Sequence, residues 1–194
     1  MMLSAVAIAV LLGWILGGSI NDLVELPFAR VEVLTAAFGI QLFMHFAAGQ
    51  VPSGITVWAF GLHLLSYGLI FYVMWHNRNL PGMPLIAAGV LLNLLVIIAN
   101  GGMPVSPQAL MATGQGHLVD ILESGGSMRH QLMDSQTALS FLGDHLTTPD
   151  WFWSPTVYSP GDLVMIAGLF WLVPAAMRGN YGGLLKNSRF SEEK

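Results

Sequence analysis

Long apolar runs separated by short polar breaks set the pattern of this chain. Five runs stand out, at about 2–18, 31–48, 55–75, 83–100 and 161–178. Each covers roughly 17–21 residues, the length a helix needs to cross a hydrocarbon core about 30 Å thick. The clearest stretch is Leu85 to Ile98, which carries no charge and runs into Ala99-Asn100-Gly101-Gly102-Met103-Pro104. The pattern predicts an all-α integral membrane helical bundle with about five transmembrane helices. The first run has no basic segment before it, and Gly17-Gly18-Ser19 is a poor cleavage site, so it reads as a span rather than a signal peptide.

Between the fourth and fifth runs the pattern changes. Residues 101–160 are more polar, with helical spacing in short pieces. Ser106 followed by Pro107 is a helix start, since a serine can cap and proline fits the first helical position. His117 to Leu122 reads as a second short helix. Gln136 to Leu146 reads as a third, with apolar Leu139, Phe141, Leu142 and Leu146. Trp151-Phe152-Trp153 reads as an anchor at headgroup depth, where indole rings are favoured. The expected organisation is one bundle over 1–178, with loop 101–160 folded on its mouth, and a tail over 179–194.

Composition sharpens the membrane reading. The chain has 194 residues, of which 54% are hydrophobic and only 9% charged, and its mean hydropathy is +0.64. A soluble domain carries about 25% charged residues, so this chain has too little polar surface to coat a water-soluble globule. Net charge is −4 with no basic block, which argues against nucleic acid as a partner. The absence of cysteine excludes disulfides, thiolate metal sites and a cysteine nucleophile. The lipid bilayer is the partner that composition requires.

Positive charges orient the bundle. With five spans, loop 19–30, loop 76–82 and the tail share one side, and they hold Arg30, Arg78, Arg178, Lys186, Arg189 and Lys194. The other side holds Arg129 alone. The positive-inside rule then places the C-terminus in the cytoplasm and the N-terminus outside. Loop 101–160 becomes extracytoplasmic.

Polar groups inside such spans are costly and face protein or water rather than lipid. Those that need an explanation are Gln41, His45, His63, Asn93, Asn100 and Asp162. At 1.5 Å per residue from Ile55, His63 lies about 12 Å below the outer surface. His45, Asn100 and Asp162 are expected in one layer near that surface, roofed by the loop. Asn93 and Asn100 are seven apart, on nearly the same helix face. Each has an ordinary structural explanation: Asp162 favours a helix start, Asn93 bonds a neighbouring helix, Asn100-Gly101-Gly102 stops a helix. Small residues recur at packing distance, as in Gly13 with Gly17, Gly61 with Gly68, and Gly161 with Gly168.

Asn93 to Val105, with its Asn-Gly-Gly-Met-Pro box, and the later Tyr158-Ser159-Pro160-Gly161-Asp162 resemble small polytopic bacterial membrane proteins. These are grouped as domain of unknown function five-three-one-seven. The resemblance implies a bacterial inner-membrane protein and no particular activity. A looser likeness is to lipoprotein signal peptidases, which place an aspartate at the outer entry of the last span, as Asp162 is placed here. Those enzymes need a second aspartate where this chain has Asn100. Asp120, Asp134, Asp144 or Asp150 could supply one from the loop, and nothing in the sequence selects among them.

Two functional readings follow. The first is a non-enzymatic subunit or accessory factor that meets a protein partner at loop 101–160. The second is an intramembrane hydrolase with Asp162 as the catalytic carboxylate and Asn100 as an orienting or oxyanion group, beside a polar binding cluster of His45, Asn93 and His63. No cofactor is expected. Haem ligation by His45 and His63 is disfavoured because the two are offset by about 7 Å in depth. No histidine shows helix-face metal-ligand spacing with a carboxylate, and no inverted repeat points to a transporter.

Overall fold

The computed structural model describes residues 2–47, 56–127, 129–149, 152–153 and 155–181. The protein is mostly helical. Its helices are α1 (Met2–Ile15), α2 (Ile20–Val24), α3 (Val31–Ala47), α4 (Thr56–His76), α5 (Met83–Asn100), α6 (Pro107–Ala112), α7 (His117–Glu123) and α8 (Pro160–Met177). Three are long and apolar enough to cross a membrane, at Trp58–His76, Met83–Asn100 and Pro160–Met177. The first two expected spans are also apolar helices, but shorter, at Met2–Ile15 and Val31–Ala47. The C-terminal end of α1 is fixed by Gly17, whose φ of +80° ends the helix. Residues 48–55, including the expected join between the second and third spans, lie outside the described residues, as do 182–194 of the expected tail.

The order of packing follows from glycine. α8 runs along both α5 and α1, while α3 pairs with α4. Along the α5–α8 seam, Gly82 faces Gly168 and Gly89 faces Gly161, seven residues apart on each side, so the two helices are antiparallel. A methyl added at Gly168 would lie 2.6 Å from Ile86 Cγ1 and 2.7 Å from the Gly82 carbonyl oxygen. Such closeness lets the two backbones touch, the usual source of helix adhesion where no hydrophobic drive exists. At the other end, Gly13 and Gly18 receive Met177. Two of the expected small-residue pairs do not pack this way. A side chain at Gly61 or Gly68 would meet nothing within 4 Å, and Gly17 serves as a helix stop instead. Spacing along one helix cannot say which face meets a neighbour.

Segment 101–160 is a folded cap rather than a loop. The sequence places α6 and α7 correctly: Ser106 Oγ accepts from Ala109 N at 3.3 Å with Pro107 behind it. The protein is mostly helical as expected, and two small sheets form in this segment beside the helices. Strand β1 (Met103–Val105) pairs in parallel with β2 (His130–Leu132), Met103 opposite His130. Strand β3 (Leu146–Thr147) pairs antiparallel with β4 (Val157–Tyr158). The helix expected over 136–146 is absent, replaced by one 3-10 turn at Ser140–Leu142. Leu139 before it has a φ of +51°, a left-handed conformation that interrupts helical propagation. Trp151 of the expected aromatic anchor lies outside the described residues, while Phe152 and Trp153 stack with ring centroids 4.4 Å apart.

Candidate functional site

The start of α8 carries a closed network of polar contacts. Ser159 Oγ accepts from Asp162 N at 3.0 Å, and Asp162 Oδ2 accepts from Ser159 N at 3.1 Å, a reciprocal capping box. Asn93 on α5 completes the network. Its Nδ2 donates to Asp162 Oδ1 at 3.0 Å, and its Oδ1 accepts from Ser159 Oγ at 2.8 Å. Gly161 makes this approach possible, because a side chain there would collide with Asn93 Oδ1.

Asn100, about two turns further along α5, has a different task. Its Nδ2 donates to Val96 O and to Ala138 O, both at 2.8 Å, and its Oδ1 accepts from Ala138 N at 2.9 Å. Every hydrogen-bonding group of the amide is thus engaged in stapling the cap to the helix end. Gly101, with a φ of +81°, closes the helix beside it.

Between α3, α4, α5, α8 and the cap lies a polar cavity of about 140 Å³. Gln41 enters from α3, His63 and Tyr67 from α4, Asn93 from α5 and Asp162 from α8. The cap contributes Arg129, His130 and Asp144. Of the candidate residues, His63, Asn93 and Asp162 therefore meet in one chamber. Asn100 lies outside it, and His45 borders two adjoining cavities.

Asp144 arrives by a long-range route. Its backbone N donates to Pro104 O at 2.8 Å and its carbonyl accepts from Ser106 N at 2.8 Å, which adds it to the edge of β1 opposite β2. Arg129 is set on the other edge, where its carbonyl accepts from Met103 N at 2.7 Å. The Met-Pro-Val strand thus carries the acid and the base of the cap on its two sides. Sequence reasoning named Asp144 only as one of four carboxylates and did not single out Arg129 or His130 for the site. No local pattern could have done so, because the pairing partners are roughly 25 to 40 residues away.

The electrostatics of the cap follow from burial. Burial first, then the charge of Asp162, pushes the Asp144 carboxyl up to about 8, so it holds its proton at neutral pH. Burial, then the Arg129 cation, then His63 and His45, pulls His130 down to about 4 and keeps it neutral. Burial also lowers Arg129 from its ordinary value, with Tyr67 opposing. Two atoms in this chamber are left over. His63 Nδ1 and Asp144 Oδ1 are buried without a hydrogen-bond partner. His63 is 5% exposed, with its ring 5.3 Å from that of Tyr67. Buried polar atoms are nearly always paired, so two orphans on residues that line one small cavity are groups the fold leaves without a partner. Among the described residues, no three His, Asp or Glu side chains are grouped to hold a metal ion.

Comparison with known proteins agrees with this picture of a fold without an assigned activity. The model of a family of unknown function, DUF5317, matches residues 25–174, and the chain belongs to that family. This is the family that the Asn-Gly-Gly-Met-Pro and Ser-Pro-Gly-Asp boxes resemble. An uncharacterised protein of Thermotoga maritima is 27% identical over 171 residues, covering 88% of each chain. No solved structure matches.

Proposed function

We propose that this member of a family of unknown function is a non-enzymatic, five-span inner-membrane protein that binds a small polar group in the chamber beneath its extracytoplasmic cap. The observation that carries the reading is the pair of orphaned atoms, His63 Nδ1 and Asp144 Oδ1, on two residues that line the same cavity. A chamber built only to hold helices together would satisfy its own groups, as the Asn93–Ser159–Asp162 network does. The two residues first considered for catalysis are the ones whose hydrogen bonds are already committed, Asp162 to its cap and Asn100 to Ala138.

Five spans and an outside N-terminus are supported by the charge asymmetry and by the two further apolar helices. The bundle over 1–178 with a cytoplasmic tail belongs to the same reading. Because the chain has no cysteine, single cysteines report topology directly. Ser124→Cys should react with a membrane-impermeant maleimide from outside intact cells, and Arg78→Cys only after lysis. Labelling of Arg78→Cys in intact cells would reverse the orientation. For the binding role, Asp144→Asn and His63→Phe should each abolish the cellular phenotype of the wild-type gene while leaving protein levels unchanged.

One observation favours the hydrolase as a second reading: Asp144 and Asp162 share the chamber. Two carboxyl groups held in unlike surroundings are the ingredients of acid–base work. The two readings separate on Asp162→Asn. The amide keeps an acceptor for the Ser159 N–H, so a binding protein should retain activity in cells and a hydrolase should lose it.

A further inference from the structure

Two larger cavities adjoin the polar chamber, and Arg129 borders all three. One, of about 690 Å³, lies under the cap helices, walled by Leu110, Leu118, Ile121 and Leu122. The other, of about 650 Å³, is a groove on α3 lined by Thr35, Phe38, Gly39, Leu42 and His45. Thr35 to His45 spans ten residues, about 15 Å of helix at 1.5 Å per residue. That is half of a ~30 Å hydrocarbon core, the depth of one leaflet. Gly39 leaves the groove open, since a side chain there would meet nothing within 4 Å. At the head of the groove stands Arg129, whose guanidinium has no carboxylate partner within 4 Å among the described residues.

We infer that the ligand of the chamber is an outer-leaflet phospholipid, with its phosphate on Arg129, one acyl chain along the Thr35–His45 groove of α3, and a headgroup bearing N–H or O–H donors turned toward His63 and Asp144. This rests on the binding role proposed above and names the ligand class. The chemistry is complementary part by part. An unpaired guanidinium at the membrane surface suits a phosphate, which it can bind through two parallel N–H donors. The apolar groove suits a chain. The far chamber offers the unpartnered His63 Nδ1 and Asp144 Oδ1 to a headgroup donor, so ethanolamine fits and choline, with no donor, does not.

The test uses the full chain, purified in detergent, freed of lipid and read by native mass spectrometry. The probes are dioleoyl phosphatidylethanolamine, dioleoyl phosphatidylcholine, dioleoylglycerol and water-soluble glycerophosphoethanolamine. The ethanolamine lipid should bind, at least about tenfold more tightly than dioleoylglycerol, in line with loss of one charge-assisted contact. Arg129→Gln should weaken it by a similar factor. Gly39→Phe, which fills the groove at a position open to substitution, should weaken the lipid but leave glycerophosphoethanolamine unchanged. Equal binding of the ethanolamine lipid to wild type, Arg129→Gln and Gly39→Phe would mean annular lipid only and would overturn the inference. Choline lipid binding as tightly as ethanolamine lipid would overturn it too. If glycerophosphoethanolamine binds in a His63-dependent way and the lipid does not, the lipid inference fails and the chamber keeps its binding role. If neither binds, both fail.

Discussion

Replacing His63 by phenylalanine removes a buried ring nitrogen that has nothing to bond. The ring stays, and with it the packing against Tyr67 at 5.3 Å between centroids. The extra volume of phenyl can enter the adjoining 140 Å³ chamber rather than the helix interface. An unsatisfied buried polar group costs about 1–3 kcal/mol. In a chain of this size about 1 kcal/mol moves Tm by ~2–4 °C. His63→Phe should therefore raise the Tm of lipid-free protein by about 2–12 °C, followed by tryptophan fluorescence on heating. Ser66 supplies the control one turn further along α4. Its Oγ donates to His63 O at 2.8 Å and accepts from Gln41 Nε2 at 3.4 Å, so it is satisfied. Ser66→Ala should lower Tm, by roughly 1 kcal/mol of lost bonding. The sign difference between two buried polar residues on one helix is the content of the prediction. If His63→Phe lowers Tm as Ser66→Ala does, the nitrogen has a partner inside the fold and the chamber is structural packing.

Three further outcomes can be checked alongside. Gly168→Ala should cost about 1–3 kcal/mol by overpacking, since the new methyl meets the Gly82 carbonyl oxygen at 2.7 Å, whereas Gly68→Ala, with open space, should be neutral or stabilising by up to ~1 kcal/mol; equal thermal shifts would refute the α5–α8 seam. Asp144 makes stability depend on pH: its folded carboxyl titrates near 8 against an ordinary 3.8, so the folded state holds the extra proton, and the stability present below about 4 is lost as pH rises through about 8. The Tm of wild type minus that of Asp144→Asn should fall across that window and flatten above it, and a flat difference would mean an ordinary, solvated carboxyl. Asn100→Ala should cost about 1–3 kcal/mol and speed hydrogen exchange at Ala138, whose N–H it leaves without its 2.9 Å acceptor; unchanged exchange would place the staple elsewhere.

Much of the fold was legible along the chain because its causes are local. Ser106-Pro107 and Ser159-Pro160-Gly161-Asp162 carry their own capping chemistry, so α6 and α8 begin where those residues stand. Asn100-Gly101 stops α5 for a reason contained in two residues. Apolar runs alone mark the long helices, since hydrophobicity needs no partner to be read. The site was only half legible. Polar residues inside spans announced His63, Asn93 and Asp162, because a polar group in an apolar helix always needs an explanation. Their meeting in one chamber, with His45 and Asn100 left outside, depends on helix rotation, which the glycine seam sets and spacing does not.

The sequence by itself determined how apolar this protein is, the family it belongs to, its main helices and most of their caps. Each of these rests on composition, period or a few adjacent side chains. Tertiary structure alone decided that Gly82 and Gly89 meet Gly168 and Gly161 while Gly61 and Gly68 meet nothing. It alone turned 136–146 from an expected helix into a turn, because Asn100 grips Ala138 across 38 residues. It alone chose Asp144 from four loop carboxylates and set it on one edge of the strand Met103–Val105, with Arg129 on the other. Pairing between distant segments is a property of the closed chain, and the free energy that selects one pairing exists only once the segments have met.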